Sequence, residues 1–223
     1  MLFRQCVEVE LLQLLEALQK LDFLKEHFLV GGTALSLYRG HRKSEDIDLF
    51  TSKDFYGMDT YRALKDAGLD VAERVSFDTN RMVTQINGIK VDIWKEFGVK
   101  THLKPIQQIE GIRMLSLEDI SAQKIMAAQN RNAKKDYVDL IELHKLFGFK
   151  QCVQNFKKRY AKQNESPYLA RLKEVDLGDI GKDPLLLNKE FNWGIVKSEI
   201  LDMINTFERT QRMELSKGND MSV

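Results

Sequence analysis

The stretch Arg81-Met-Val-Thr-Gln-Ile-Asn87-Gly88-Ile-Lys-Val-Asp92-Ile-Trp94 constrains this chain more than any other. Asn-Gly between two runs of alternating polarity is the strongest short-range signal for a hairpin closed by a two-residue turn. Such a turn sets the register: Ile86 opposite Ile89, Thr84 opposite Val91, and Val83 opposite Asp92. Met82, Thr84, Ile86, Ile89, Val91 and Ile93 then share one face, which must be the core side, and Arg81, Gln85, Lys90 and Asp92 share the other. Asp92 is thereby expected on the polar face of a sheet.

Upstream, Phe28-Leu-Val30 reads as a short strand, Gly31-Gly32 as a turn, and Thr33–Tyr38 as a short helix ending near Gly40. Asp46–Phe50 is a second strand, with Asp46 and Asp48 pointing one way and Ile47 and Leu49 into the core. Two carboxylates side by side repel unless positive charge lies between them. A pair of hard cations satisfies that need, since magnesium prefers oxygen ligands and binds through one or two carboxylates with substrate phosphates and water. Asp92, if its hairpin pairs beside Asp46–Phe50, supplies a third carboxylate. The glycines can bring backbone amides close to phosphate oxygens at a helix N-terminus, with Thr33 and Ser44 adding hydroxyls and His41, Arg42 and Lys43 adding positive charge. The combination points to nucleotide chemistry.

The remaining segments are helical in pattern. Residues 7–21 follow helical periodicity, and a helix is expected around Asp54–Ala67, stopped by Gly68. A linker-like stretch with Pro105 and Gly111 leads to Ser116-Leu-Glu-Asp119, a capping-box-like start. Helices follow near 117–131, 135–147 and 151–162. Two more begin at Ser166-Pro167 and Asp183-Pro184, and a last one spans about 193–210 before a frayed tail, Ser216–Val223. The reading is a mixed α/β part, residues 1–111, followed by a helical part, residues 112–223.

Composition closes off some classes. No apolar run approaches the roughly 20 residues that cross a bilayer, and the N-terminus lacks the form of a signal peptide. Four scattered histidines and two cysteines, Cys6 and Cys152, have no zinc-ligand spacing, so a reducing cytoplasm is the expected location. The formal net charge of +1 hides a local excess: Ser121 to Lys173 holds 12 Lys/Arg against 4 Asp/Glu. A basic face of that kind suits a polyanion such as RNA, or is a set of solvated helix surfaces.

Gly-Gly, then Asp-Ile-Asp between apolar residues, then a later strand aspartate resembles the nucleotidyltransferase fold of polymerase-β type. The longer form, Val30-Gly-Gly-Thr-Ala-Leu with His41-Arg-Lys-Ser-Glu-Asp-Ile-Asp-Leu-Phe50, resembles the AbiEii family, toxins of type IV toxin–antitoxin systems that include the MenT group. A second block, Leu115-Ser-Leu-Glu-Asp-Ile-Ser-Ala-Gln-Lys124, Arg131 and Lys135-Asp136-Tyr-Val-Asp139-Leu140, is similar to a later motif of that family. The resemblance covers roughly residues 28–147. It implies an α+β fold, a mixed sheet flanked by helices and followed by a C-terminal helical bundle. It also implies an NTP co-substrate and Mg²⁺, with Ser44, Asp46 and Asp48 as the first motif. Lys124 would then contact nucleotide phosphates and Asp136 complete the site, with Asp139 a structural partner for Arg131. An RNA acceptor, a tRNA 3′ end, and a cognate antitoxin follow as partners. The alternatives are transfer to a small-molecule or protein hydroxyl, and a nucleotide- or partner-binding module without catalysis.

Overall fold

The Asn87-Gly88 turn forms as the sequence dictates. Both residues take positive φ, 52° and 78°, and β4 (Arg81–Ile86) pairs with β5 (Ile89–Lys95) in the register Ile86–Ile89, Thr84–Val91, Val83–Asp92. Met82, Thr84, Ile86, Val91 and Ile93 are buried, while Ile89 beside the turn is half-buried. The computed structural model describes residues 1–73, 75–99, 101–130, 133–175, 182–188 and 190–220. Arg131 lies outside them.

Five further strands are β1 (Phe28–Leu29), β2 (Ile47–Thr51), β3 (Ser76–Asp78), β6 (Gln107–Ile109) and β7 (Ile112–Met114). They build one mixed seven-stranded sheet in the order β3-β4-β5-β2-β1-β7-β6. Strand β2 runs parallel to β5 and antiparallel to β1, and β1 runs parallel to β7. Eight α-helices occur among the described residues. In the first part these are α1 (Val9–Leu18), α2 (Gly31–Arg39) and α3 (Gly57–Asp66), the last followed by Gly68 at φ 79°. The others are α4 (Leu117–Asn130), α5 (Lys134–Phe147), α6 (Phe149–Arg159), α7 (Ser166–Lys173) and α8 (Trp193–Asp220).

The chain divides into two compact units. One is Met1–Ile120 with a short returning stretch containing Leu185, Leu186 and Leu187; the other is Ser121–Pro184 with Glu190–Val223. In the first, the aliphatic side chains of α1, α2 and the buried sheet face form the core: Leu15, Leu18, Leu35, Leu37, Ile47 and Leu49 are fully buried. In the second, α8 packs on α5, α6 and α7, through ring contacts such as Phe149 with Phe207, 5.4 Å between centroids. Fully burying an aromatic or aliphatic side chain of this size contributes about 1.5–3 kcal/mol.

Four local expectations are corrected. Residues 107–114 form a hairpin rather than a linker, because Glu110 and Gly111 adopt the positive-φ turn, 50° and 85°, that joins β6 to β7. Arg113 then ties β7 down: its guanidinium donates to the carbonyls of Gln19, Leu24 and His27. Gly31 and Gly32 are the first turn of α2 itself, not a turn preceding it. No helix starts at Asp183-Pro184. There, Lys43 N–H donates to Leu185 O at 2.8 Å and Leu186 pairs with Arg42 as an isolated bridge, so long-range pairing takes the backbone groups that a helix would use. The final helix runs on to Asp220, past the expected frayed end at Ser216.

Candidate active site

Parallel pairing of β2 with β5 sets Asp48 directly beside Asp92, in the run Ile47–Val91, Asp48–Asp92, Leu49–Ile93. The apolar members of this run are fully buried, so both carboxylates emerge on the opposite face. Asp48 and Asp92 therefore share one face of the sheet, whereas Asp46 lies one residue before β2 begins.

Gly31 faces them. Its φ is +70°, and a Cβ there would lie 2.5 Å from Asp48 Oδ2. Only a glycine lets this carboxylate approach the start of α2 so closely. Helix α2 has Val30 as N-cap, whose side chain makes no cap hydrogen bond, and the amides of a helix's first turn and its dipole favour an anion there.

Thr33 and Ser44 play a supporting part. Both are buried, their hydroxyls lie 2.8 Å apart, and the Thr33 hydroxyl donates to the Asp46 carbonyl. Ser44 N–H donates to Cys6 O at 2.9 Å. The two hydroxyls thus hold the approach to β2 in place. Arg42 is also buried, donating to the Lys43 carbonyl at 2.9 Å, while Lys43 reaches Glu8 at 3.2 Å.

One residue on this face escaped the sequence reading as a functional group. Lys90 Nζ is 2.8 Å from Asp92 Oδ2, and the signal that could have revealed it is its i−2 position on the same strand face. Desolvation pulls the Lys90 ammonium down, but the hydrogen bond to Asp92 and the fields of Asp92, Asp46 and Asp48 outweigh it and raise its pKa. The other oxygen, Asp92 Oδ1, is buried with no hydrogen-bond partner.

These residues fit a divalent cation. The donors are all carboxylate oxygens, which suit magnesium, and one of them is buried and unsatisfied. Among the described residues no three such groups already converge as a ligand shell.

The second unit holds the other expected pair. Lys124 on α4 is 5% exposed, with Nζ 3.1 Å from Asp136 Oδ1 and 2.5 Å from Asp139 Oδ2. The i, i+3 spacing puts both aspartates on one side of α5. Asp139 thus partners Lys124. The basic stretch is also largely paired within this unit: Lys134 with Asp183, Lys145 with Glu199, Lys150 with Glu214, Lys157 with Glu165, Arg171 with Glu174 and Lys173 with Glu208. Three of those acids come from α8, so part of the basic stretch is paired with a distant segment of the chain.

Residues 13–209 match the family described as the nucleotidyl transferase AbiEii toxin of type IV toxin–antitoxin systems. The chain belongs to the AbiEii family. It is a nucleotidyltransferase from a toxin–antitoxin context. An uncharacterized protein of Aquifex aeolicus (strain VF5), aq_aa25, is 31% identical over 156 residues, which span 65% of this chain and 73% of that protein. Two crystal structures from Helicobacter pylori share the AbiEii chain's fold. A protein assigned as a nucleotidyltransferase is 19% identical with a TM-score of 0.59, covering 92% of this chain and 94% of that one. JHP933 is 20% identical with a TM-score of 0.53, covering 96% of each. The family also accounts for the α+β architecture and its mixed sheet. No helix among the described residues is long and apolar enough to cross a membrane.

Proposed function

We propose that this AbiEii nucleotidyltransferase is metal-dependent and moves an NMP group from an NTP to a hydroxyl of RNA, the 3′ end of tRNA being the first candidate. The observation that carries the reading is the Asp48–Asp92 register, with Asp48 close against Gly31 at the start of α2. The amides of Gly31, Gly32 and Thr33 bind phosphate oxygens. Asp46, Asp48 and Asp92 would hold Mg²⁺, which when bound neutralises charge on the triphosphate and its leaving group. Asp92, with its unsatisfied Oδ1, accepts the proton of the acceptor hydroxyl. The acceptor oxygen bonds to the α-phosphorus, the bond to the bridging oxygen breaks, and pyrophosphate leaves. Catalysis of this kind rests on positioning and charge stabilisation. Lys124 and Asp136, which the family resemblance assigns to phosphate binding and to the site, are proposed to act as one ion-paired group with Asp139. A toxin that consumes tRNA ends needs a restraining partner, and the family context supports an antitoxin in that role.

The internal pairing of the basic stretch favours a second reading, transfer to a small-molecule or protein hydroxyl. One assay separates them: purified protein with each α-³²P NTP, Mg²⁺ and total tRNA, beside Asp48→Asn. Label on tRNA from the unaltered chain alone, weakened steeply by salt, supports the RNA reading. NTP binding without labelled tRNA moves the acceptor to the second class.

A further inference from the structure

Lys90 stands where metal-dependent transfer has no evident use for a lysine. It precedes Asp92 by two residues on β5, so both side chains rise from one face. Its side chain is 46% exposed against 16% for Asp92, so the ammonium reaches inward from the rim, on a flexible stem, to a largely covered carboxylate. The ion pair uses Asp92 Oδ2 and leaves Oδ1 without a partner. Asp46 and Asp48 also act on the ammonium.

We propose that Lys90 is a built-in counter-ion of the carboxylate site, occupying its Asp92 side while no nucleotide is bound, so that a divalent cation gains both oxygens of Asp92 only by displacing it. This rests on the reading of Asp46, Asp48 and Asp92 as the cation-holding set. A lysine at the rim can swing away without disturbing the sheet, and an incoming triphosphate offers its ammonium a new anionic partner. Full cation uptake thereby becomes conditional on the nucleotide. Lys90 is a positioning residue in this scheme, acting through Asp92.

The test is Mn²⁺ titration of the full chain without nucleotide, with free Mn²⁺ read by electron paramagnetic resonance. Lys90→Met keeps most of the stem and removes the charge, with Lys90→Gln as a second neutral variant. The neutral variants should bind Mn²⁺ about ten-fold more tightly than the unaltered chain, since an opposing charge has left the site. Lys90→Arg, which keeps the charge, should stay within about two-fold. A non-hydrolysable NTP should narrow the gap between Lys90→Met and the unaltered chain. Without metal, Lys90→Met should melt lower, and Mn²⁺ should restore it. Equal Mn²⁺ affinity in the neutral variants and the unaltered chain, with binding still lost in Asp48→Asn, overturns the counter-ion role and leaves the cation site standing. Mn²⁺ binding that Asp48→Asn does not weaken overturns the cation site, and the counter-ion role with it.

Discussion

Two clusters of charge in this protein use the same residue types to opposite ends. Around Asp92 the positive partner, Lys90, is half exposed, and one carboxylate oxygen is left unsatisfied. Around Lys124 the ammonium and both carboxylates are almost wholly buried, with short contacts to each partner. A buried ion pair must keep all its members, because losing one strands an uncompensated charge in a poor solvent. A rim pair contributes little to stability and can be exchanged for another cation. The first cluster is built to change partners, the second to keep them.

The sharpest way to break this contrast is on activity. Asp48→Asn should lower nucleotide transfer by about a thousand-fold or more while circular dichroism and melting stay close to those of the unaltered chain. Transfer at the unaltered rate would remove the carboxylate face from the chemistry. On stability the ranking reverses. Lys124→Met should cost about 3–5 kcal/mol in urea unfolding, whereas Lys90→Met should cost less than about 1 kcal/mol. Similar values for the two would mean that the clusters are not different in kind.

A third measurement concerns pH. His27 is buried with neither ring nitrogen hydrogen-bonded. Desolvation, and then the charge of Arg113, lower its pKa from the usual 6.5 to about 4. The native state therefore keeps His27 neutral where the unfolded chain would bind a proton. Its contribution is complete above pH 6.5 and is lost as pH falls from there toward 4, at up to about 1.4 kcal/mol per pH unit. His27→Gln should flatten that part of the stability profile; an unchanged slope would assign the acid sensitivity to other groups.

The smallest effects compare two glycines. Gly31 and Gly88 both have positive φ, +70° and +78°, but a Cβ at Gly31 meets Asp48 Oδ2 whereas one at Gly88 meets nothing within 4 Å. Each alanine should cost about 1–2 kcal/mol of backbone strain. Only Gly31→Ala should also weaken NTP binding, measured by calorimetry. Equal loss of NTP binding in both would separate the α2 start from the phosphates.

What could be read from the residues was local or periodic. The β4–β5 register followed from Asn87-Gly88 and strict alternation, residue by residue. The β6–β7 hairpin was missed because its strands have three residues each and Glu110-Gly111 is a weaker turn signal than Asn-Gly. The Asp183-Pro184 start was misread because cap chemistry near a proline is visible in a sequence, while a partner at Arg42, far away in the chain, is not.

By itself, then, the sequence determined which side chains share a face and which backbone positions need glycine, since both depend on neighbours a few residues apart. Only the tertiary structure decided that Asp48 stands beside Asp92, that Lys124 sits between Asp136 and Asp139, and that α8 supplies acids to Lys145, Lys150 and Lys173. Those are pairings between distant segments, and they are chosen by what can be buried together, which no single segment encodes.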